Sequence, residues 1–198
     1  MKNSLDRYFS ELQACLTKIE AWDEEARSVA VEQAVSTVIG LILKTKRLGK
    51  KVIFIGNGGS AAIASHQAVD LWKNGGIRAI AFNDASLLTC VSNDLGYEYV
   101  FEKPIEMFAD EDDLLIAISS SGRSPNILRA VERAKAKCCN VVTLSGFRPD
   151  NPLRSKGQFN FYVASDSYGF VEISHLALCH YLADRVMAER EILAKTAK

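Results

Sequence analysis

The run Ser119-Ser120-Ser121-Gly122-Arg123-Ser124-Pro125-Asn126 puts four hydroxyls and a glycine directly after the apolar segment Leu114 to Ile118. A helical pattern follows from Ile127 to Ala136, with Leu128, Val131 and Ala134 on one face. Hydroxyls and backbone N–H groups gathered where a helix begins bind an anion, because the first-turn donors are unpaired and the helix dipole favours negative charge. The anion this chemistry suits is phosphate. Ser124 followed by Pro125 is also an ordinary helix start, but capping needs one serine, not four. A second stretch, Gly56-Asn57-Gly58-Gly59-Ser60, lies between the apolar strand Lys51 to Ile55 and a helix expected from Ala61 to Trp72. A glycine-rich turn of this kind lets a phosphate approach the backbone. A third set is spread over two helices. His66 and Asp70 are four apart and share a helical face; Glu172, His175, His180 and Asp184 interrupt an apolar helix expected from Gly169 to Arg190. All three histidines of the chain lie on these two helices.

The elements that must position these groups alternate regularly. Strands are expected at 51–55, 78–82, 113–118, 140–144 and 159–163, and helices at 61–72, 97–108 and 125–137 between them. Strands separated by helices form right-handed βαβ units, so the fold class is α/β, a three-layer αβα sandwich around a five-stranded parallel sheet. The expected order is 2-1-3-4-5. In that order the turns after the first and third strands flank the switch point, and the glycine and serine turns face one pocket. Ahead of the first strand, Leu5, Phe9, Leu12, Leu16, Ile19 and Trp22 make one helical stripe. A second helix is expected from Glu24 to Leu48, with Val31, Val35, Val38, Ile39 and Ile42 inward and Gly49 closing it. Residues 1–48 thus read as a helical extension that packs against another subunit, and 49–198 as the α/β domain.

Lys+Arg and Asp+Glu balance at 24 each, which gives no basic surface for nucleic acid. With 48% hydrophobic residues in 198, the chain can bury a sizeable core. Five cysteines, an odd number with no CxxC pair, and the polar start Met1-Lys2-Asn3-Ser4 indicate a reduced, cytoplasmic protein. No apolar run approaches the ~18 residues of a membrane span.

Two nucleotide-binding motifs bear on the glycine turn. Walker A fails, since no Gly-Lys-Ser/Thr follows the glycines. The loose dinucleotide pattern is met by Gly56, Gly58 and Ala61, with Asn83-Asp84 as the acidic position, but the acid lies beyond the usual spacing and the serine turn stays unexplained.

The glycine turn, Ser92-Asn93-Asp94, the serine turn with its Pro125-Asn126, and a last helix carrying His180 together resemble the SIS-domain sugar-phosphate isomerases. Within them the chain is most similar to the phosphoheptose (sedoheptulose 7-phosphate) isomerases, over nearly its whole length. The resemblance implies a homotetramer with active sites at subunit interfaces. It also implies conversion of sedoheptulose 7-phosphate to a heptose 7-phosphate that feeds a bacterial surface polysaccharide, with no nucleotide cofactor. Ser119, Ser120, Ser121 and Ser124 would hold the phosphate; Asn57, Gly58, Gly59, Asn93 and Asp94 would line the sugar. Where the family has a histidine, a glutamate base, a glutamine and a histidine, often around zinc, this chain has His66, Asp70, Glu172 and His180.

Moving a carbonyl between C2 and C1 needs a base for a carbon-bound proton, an acid for the neighbouring oxygen, and stabilisation of the enediolate. Asp70 is assigned as base and His180 as its partner. His66, Asp70, Glu172 and His180 form a donor set for zinc. Glu172 and His180 are separated by about 12 Å of helix rise, so both reach one ion only if Glu172 precedes the regular helix or two subunits share the site. Glu172 could instead complement the helix dipole from the first turn, and Arg123 could add a cation near the phosphate. The competing functions are a non-catalytic partner of the bacterial replication initiator, known among relatives, and a nucleotide-dependent oxidoreductase.

Overall fold

The computed structural model describes residues 4–196, with side chains described as far as 189. In chain order the helices are α1 (Leu5–Thr17), α2 (Val31–Arg47), α3 (Gly59–Lys73), α4 (Ala85–Leu95), α5 (Glu102–Phe108), α6 (Pro125–Ala136) and α7 (Tyr168–Thr196). The strands are β1 (Glu20–Asp23), β2 (Ser28–Val29), β3 (Val52–Gly56), β4 (Ala79–Ala81), β5 (Leu114–Ser119), β6 (Asn140–Gly146) and β7 (Phe159–Val163).

They form one sheet in the order β2-β1-β7-β6-β5-β3-β4. Strands β4-β3-β5-β6-β7 are all parallel and reproduce the expected 2-1-3-4-5 order. The expectation of a five-stranded parallel sheet is nevertheless corrected: β1 adds antiparallel to β7, and β2 to β1, making a seven-stranded mixed sheet. Alternate residues of the central strands enter two cores. Val52, Phe54, Leu114, Ile116 and Ile118 pack with α2, α3 and α7, while Ile53, Ile55, Leu115 and Ala117 pack with α5 and α6. Burial on both faces is why these strands are apolar without alternation.

Trp22, whose spacing predicts a helix, stands in β1. α1 stops at Thr17, and Trp22 instead lies under the Arg154 guanidinium, 3.9 Å from its ring centre. Arg154 also pairs with Glu20 at 2.8 Å, tying β1 to the segment before β7. Residues 24–30 are likewise not helical. The Asp23 carboxylate accepts from the N–H groups of Glu25 and Arg27, at 3.0 and 2.9 Å, and Ala26 takes φ +58° to complete a turn without glycine. The expected helix 97–108 is also corrected to a 3-10 turn, Tyr97–Tyr99, followed by α5. α4 is absent from the expected elements although Leu87, Leu88 and Val91 share one face that packs on the second core; it is capped by Asp84. No helix among the described residues is long and apolar enough to cross a membrane.

Register positions the site. Gly56 pairs with Ile118, and Ser119 with Ser145, so the turns that follow β3 and β5 leave the sheet side by side at its carboxyl edge.

Candidate active site

Between those two turns lies a cleft of about 220 Å³, lined by Asn57, Gly58 and Gly59 from one and Ser119, Ser120, Ser121 and Ser124 from the other. Gly58 takes φ +53° at the start of α3, a conformation natural to glycine, and offers no side-chain cap. Ser124 occupies the N-cap position of α6, yet its hydroxyl makes no capping bond. The helix therefore starts without a capping bond from this hydroxyl, which lines the cleft instead. Ser120 Oγ is buried with no partner, and Ser119 Oγ and Ser121 Oγ accept from the N–H groups of Gly122 and Arg123. None of the cleft's lining residues is lysine or arginine. Arg123 turns to Asp150, at 3.2 Å. Anion binding here would rest on hydroxyls and helix N-termini rather than on a buried cation.

Across α3 and α7, His66, Asp70 and His180 come together. Asp70 Oδ2 lies 3.3 Å from His66 Nε2 and 3.6 Å from His180 Nδ1. The imidazole ring centres are 5.2 Å apart, edge to face. One donor atom from each of the three lies within 4.8 Å of the others. Three donors at this spacing fit a divalent ion with an open position for substrate. Glu172 does not join that group. It lies inside α7, which begins at Tyr168, so it neither precedes the regular helix nor sits in its first turn. The four-residue metal set therefore reduces to three within one chain.

Glu172 has a different place. Its carboxylate packs against the Cα of Gly59, so closely that a Cβ there would coincide with it. It lines the phosphate-sized cleft and also a neighbouring hollow of about 370 Å³ formed with His66, Ile63, Ile173 and Leu176. Cleft, Gly59–Glu172 contact and histidine cluster thus follow one another along the α3–α7 seam.

Three further residues belong to this region. Asn57 and Asn126 exchange amide hydrogen bonds at 3.0 and 2.8 Å, and the Tyr97 hydroxyl donates to Asn57 Oδ1 at 3.0 Å. Tyr168 lines the cleft and stands edge-on to Phe147, ring centres 4.7 Å apart. Asn126 was visible in the serine motif; Tyr97 and Tyr168 carried no signal of spacing. Asn93 and Asp94 are exposed on α4, bonded to each other at 2.8 Å, and are not among the residues lining the cleft. Asp84 Oδ1 accepts from the N–H groups of Ser86 and Leu87 and so caps α4. His175 is fully buried against the Ser145 carbonyl at 3.1 Å, and burial pushes its pKa down to about 4. It is a neutral core histidine.

A family model described as "SIS domain" matches residues 7–146. The chain belongs to the SIS domain family. The match begins within the N-terminal extension, in keeping with the two strands that this segment adds to the sheet. A phosphoheptose isomerase of Fusobacterium nucleatum is 32% identical to the SIS chain over 189 residues, covering 93% of each. Two solved structures superpose on it, both 27% identical. The phosphoheptose isomerase of Neisseria gonorrhoeae has a TM-score of 0.80, covering 92% of this chain and 97% of that one. That of Francisella tularensis has a TM-score of 0.81, covering 93% and 96%. The SIS chain stands among the isomerases of its family.

Proposed function

We propose that the protein interconverts a ketose phosphate and an aldose phosphate in the cytoplasm, with sedoheptulose 7-phosphate and D-glycero-D-manno-heptose 7-phosphate as the pair. The observation that supports this reading is that the cleft lined by the serine turn and the His66–Asp70–His180 cluster both border α3 and α7. A phosphate held at one end fixes the sugar chain; the cluster then works at C1 and C2. The relatives' name supplies the seven-carbon sugar.

Asp70 is the base that takes the carbon-bound proton. His180, whose Nδ1 faces Asp70 Oδ2 at 3.6 Å, keeps Nε2 for the substrate oxygen and shuttles the proton there. The Asn57–Asn126 pair keeps an amide fixed at the cleft floor, where the sugar hydroxyls would pass. His66, Asp70 and His180 are also the residues that would hold a zinc ion, which would polarise the sugar carbonyl as a Lewis acid. Glu172, between cleft and cluster, is positioned for a sugar hydroxyl rather than for that ion.

Subunit packing is part of the proposal. α1 buries no residue, and Leu5, Tyr8 and Phe9 are exposed. A groove of about 820 Å³ runs between α1, α2 and α7, lined by Leu16, Val35, Ile39 and Tyr181 among others. Apolar surface of this extent supports assembly into a homo-oligomer, with the family's tetramer as the expected form.

The test is NMR of sedoheptulose 7-phosphate incubated with the protein in deuterated buffer, with added zinc and with chelator. Aldose signals carrying deuterium at C2 support the reading. Phosphate binding without product or exchange would point instead to a non-catalytic sugar-phosphate-binding protein, possessing the site but not the chemistry.

A further inference from the structure

The segment between β6 and β7 grips the serine turn from behind. Asn151 is 3% exposed at the start of the 3-10 turn Pro152–Ser155. Its Nδ2 donates to Ser145 Oγ, the Gly146 carbonyl and the Arg148 carbonyl, at 3.3, 3.2 and 2.9 Å. Its Oδ1 is buried without a hydrogen-bond partner and lies against the Cα of Gly122, where a Cβ would overlap it. Gly122 itself sits at φ +61° in the middle of the serine turn. Three more contacts join this segment and the end of β6 to the serine turn. Leu153 N–H donates to the Gly122 carbonyl at 3.2 Å, Asp150 pairs with Arg123 at 3.2 Å, and Gly146 N–H donates to the Ser120 carbonyl at 2.9 Å.

A turn that presents Ser119, Ser120, Ser121 and Ser124 to an anion must be held in one shape before the anion arrives, or binding is weakened by the cost of ordering it. A buried acceptor without a donor is itself unfavourable, so the carboxamide's place against Gly122 calls for a compensating role. Shape supplies one: no side chain at 122 and a flat amide at 151 let the turn seat directly on the segment behind it.

We propose that Asn151 is a positioning residue that holds the serine turn in its phosphate-binding form through Gly122. The proposal rests on the reading of that turn as a phosphate site. It adds a residue that touches no substrate and lies outside every motif of the sequence.

The experiment measures binding of inorganic phosphate to the full chain by calorimetry, together with KM and kcat for sedoheptulose 7-phosphate and the melting temperature. Asn151→Ala should weaken phosphate about tenfold and raise KM similarly, with a smaller change in kcat, as expected for a misplaced binding group. Gln158→Ala is the control. Its amide bonds Val141 N–H and Asn140 at the opposite end of β6, both at 2.9 Å, so its loss should lower the melting temperature and leave phosphate affinity unchanged. Asn151→Ser serves if the alanine variant does not fold. A folded Asn151 variant that binds phosphate within twofold of the parent overturns the proposal. Equal losses in the Gln158 control overturn it too, by showing a general effect of destabilisation. If the parent protein binds no phosphate, the phosphate reading fails first, and that failure is seen before any variant is made.

Discussion

His180 on α7 brings its Nδ1 to 3.6 Å from Oδ2 of Asp70 on α3, and the same oxygen lies 3.3 Å from His66 Nε2. One carboxylate oxygen is therefore shared by two imidazoles. The short aspartate side chain is placed between both rings.

Asp70→Asn and His180→Ala each remove one member of that arrangement at a half-exposed site. Turnover should fall about 10²-fold or more, the usual range for loss of a general acid or base. The melting temperature should change little. Exchange of the C2 proton into deuterated solvent is the direct readout, and wild-type exchange in either variant would remove that residue from the mechanism.

Gly59→Ala tests the seam. The added Cβ would meet the Glu172 carboxylate, which must then leave its place between cleft and cluster. The expected result is at least about a tenfold loss in kcat/KM, since a displacement near 1 Å in an active site can cost 10²-fold. If the loss runs through Glu172, Gly59→Ala should cost little more in a Glu172→Gly background than Glu172→Gly costs alone, a non-additivity that a double-mutant cycle will show.

Zinc affinity should follow the three-residue cluster and not the four-residue set. Calorimetric titration of the metal-free protein with zinc should show binding, weakened about tenfold or more by His66→Ala. Glu172→Gln should bind as the parent does, because Glu172 is not in the cluster. Equal losses in both would restore Glu172 as a ligand, across a subunit boundary.

His175 carries a pH signature. Burial holds its folded pKa at about 4 against 6.5 in the open chain, so between these values the unfolded state binds the extra proton. Stability from this group is fully present above pH 6.5 and is lost as pH falls toward 4. The full loss is roughly 3 kcal/mol at ~1.4 kcal/mol per pH unit. Urea midpoints at pH 7.5 and 5 should differ more for the parent than for His175→Gln, which has no group to titrate there.

Much of the parallel sheet was readable because its strands are buried on both faces. Val52 to Ile55 and Leu114 to Ile118 are continuous apolar runs bounded by glycine and serine turns, a pattern with few other solutions. Trp22 misled because its spacing from Leu5 to Ile19 is helical; pairing with β7, distant in sequence, is what makes its segment a strand, with Arg154 packed over the ring. The turn at Asp23 to Arg27 was hidden for a related reason. It has no glycine or proline, and Ala26 accepts a left-handed backbone because the Asp23 carboxylate holds two N–H groups in place. Helix α4 starts on Asp84, whose Oδ1 caps the N–H groups of Ser86 and Leu87, a role that an acidic residue after a strand does not announce by itself.

The site divides along the same line. The sequence alone determined the two turns and the His66–Asp70 pair, because each is local: a strand end, a helix start, or one helical step of four residues. It also showed, from helix rise, that Glu172 and His180 could not share an ion within a regular helix. Tertiary structure alone decided that His180 meets Asp70, that Glu172 fills the space a side chain at Gly59 would need, and that Asn151 stands behind Gly122. These are contacts between elements brought together by burial of the two cores, and burial is indifferent to sequence distance. No local spacing encodes them.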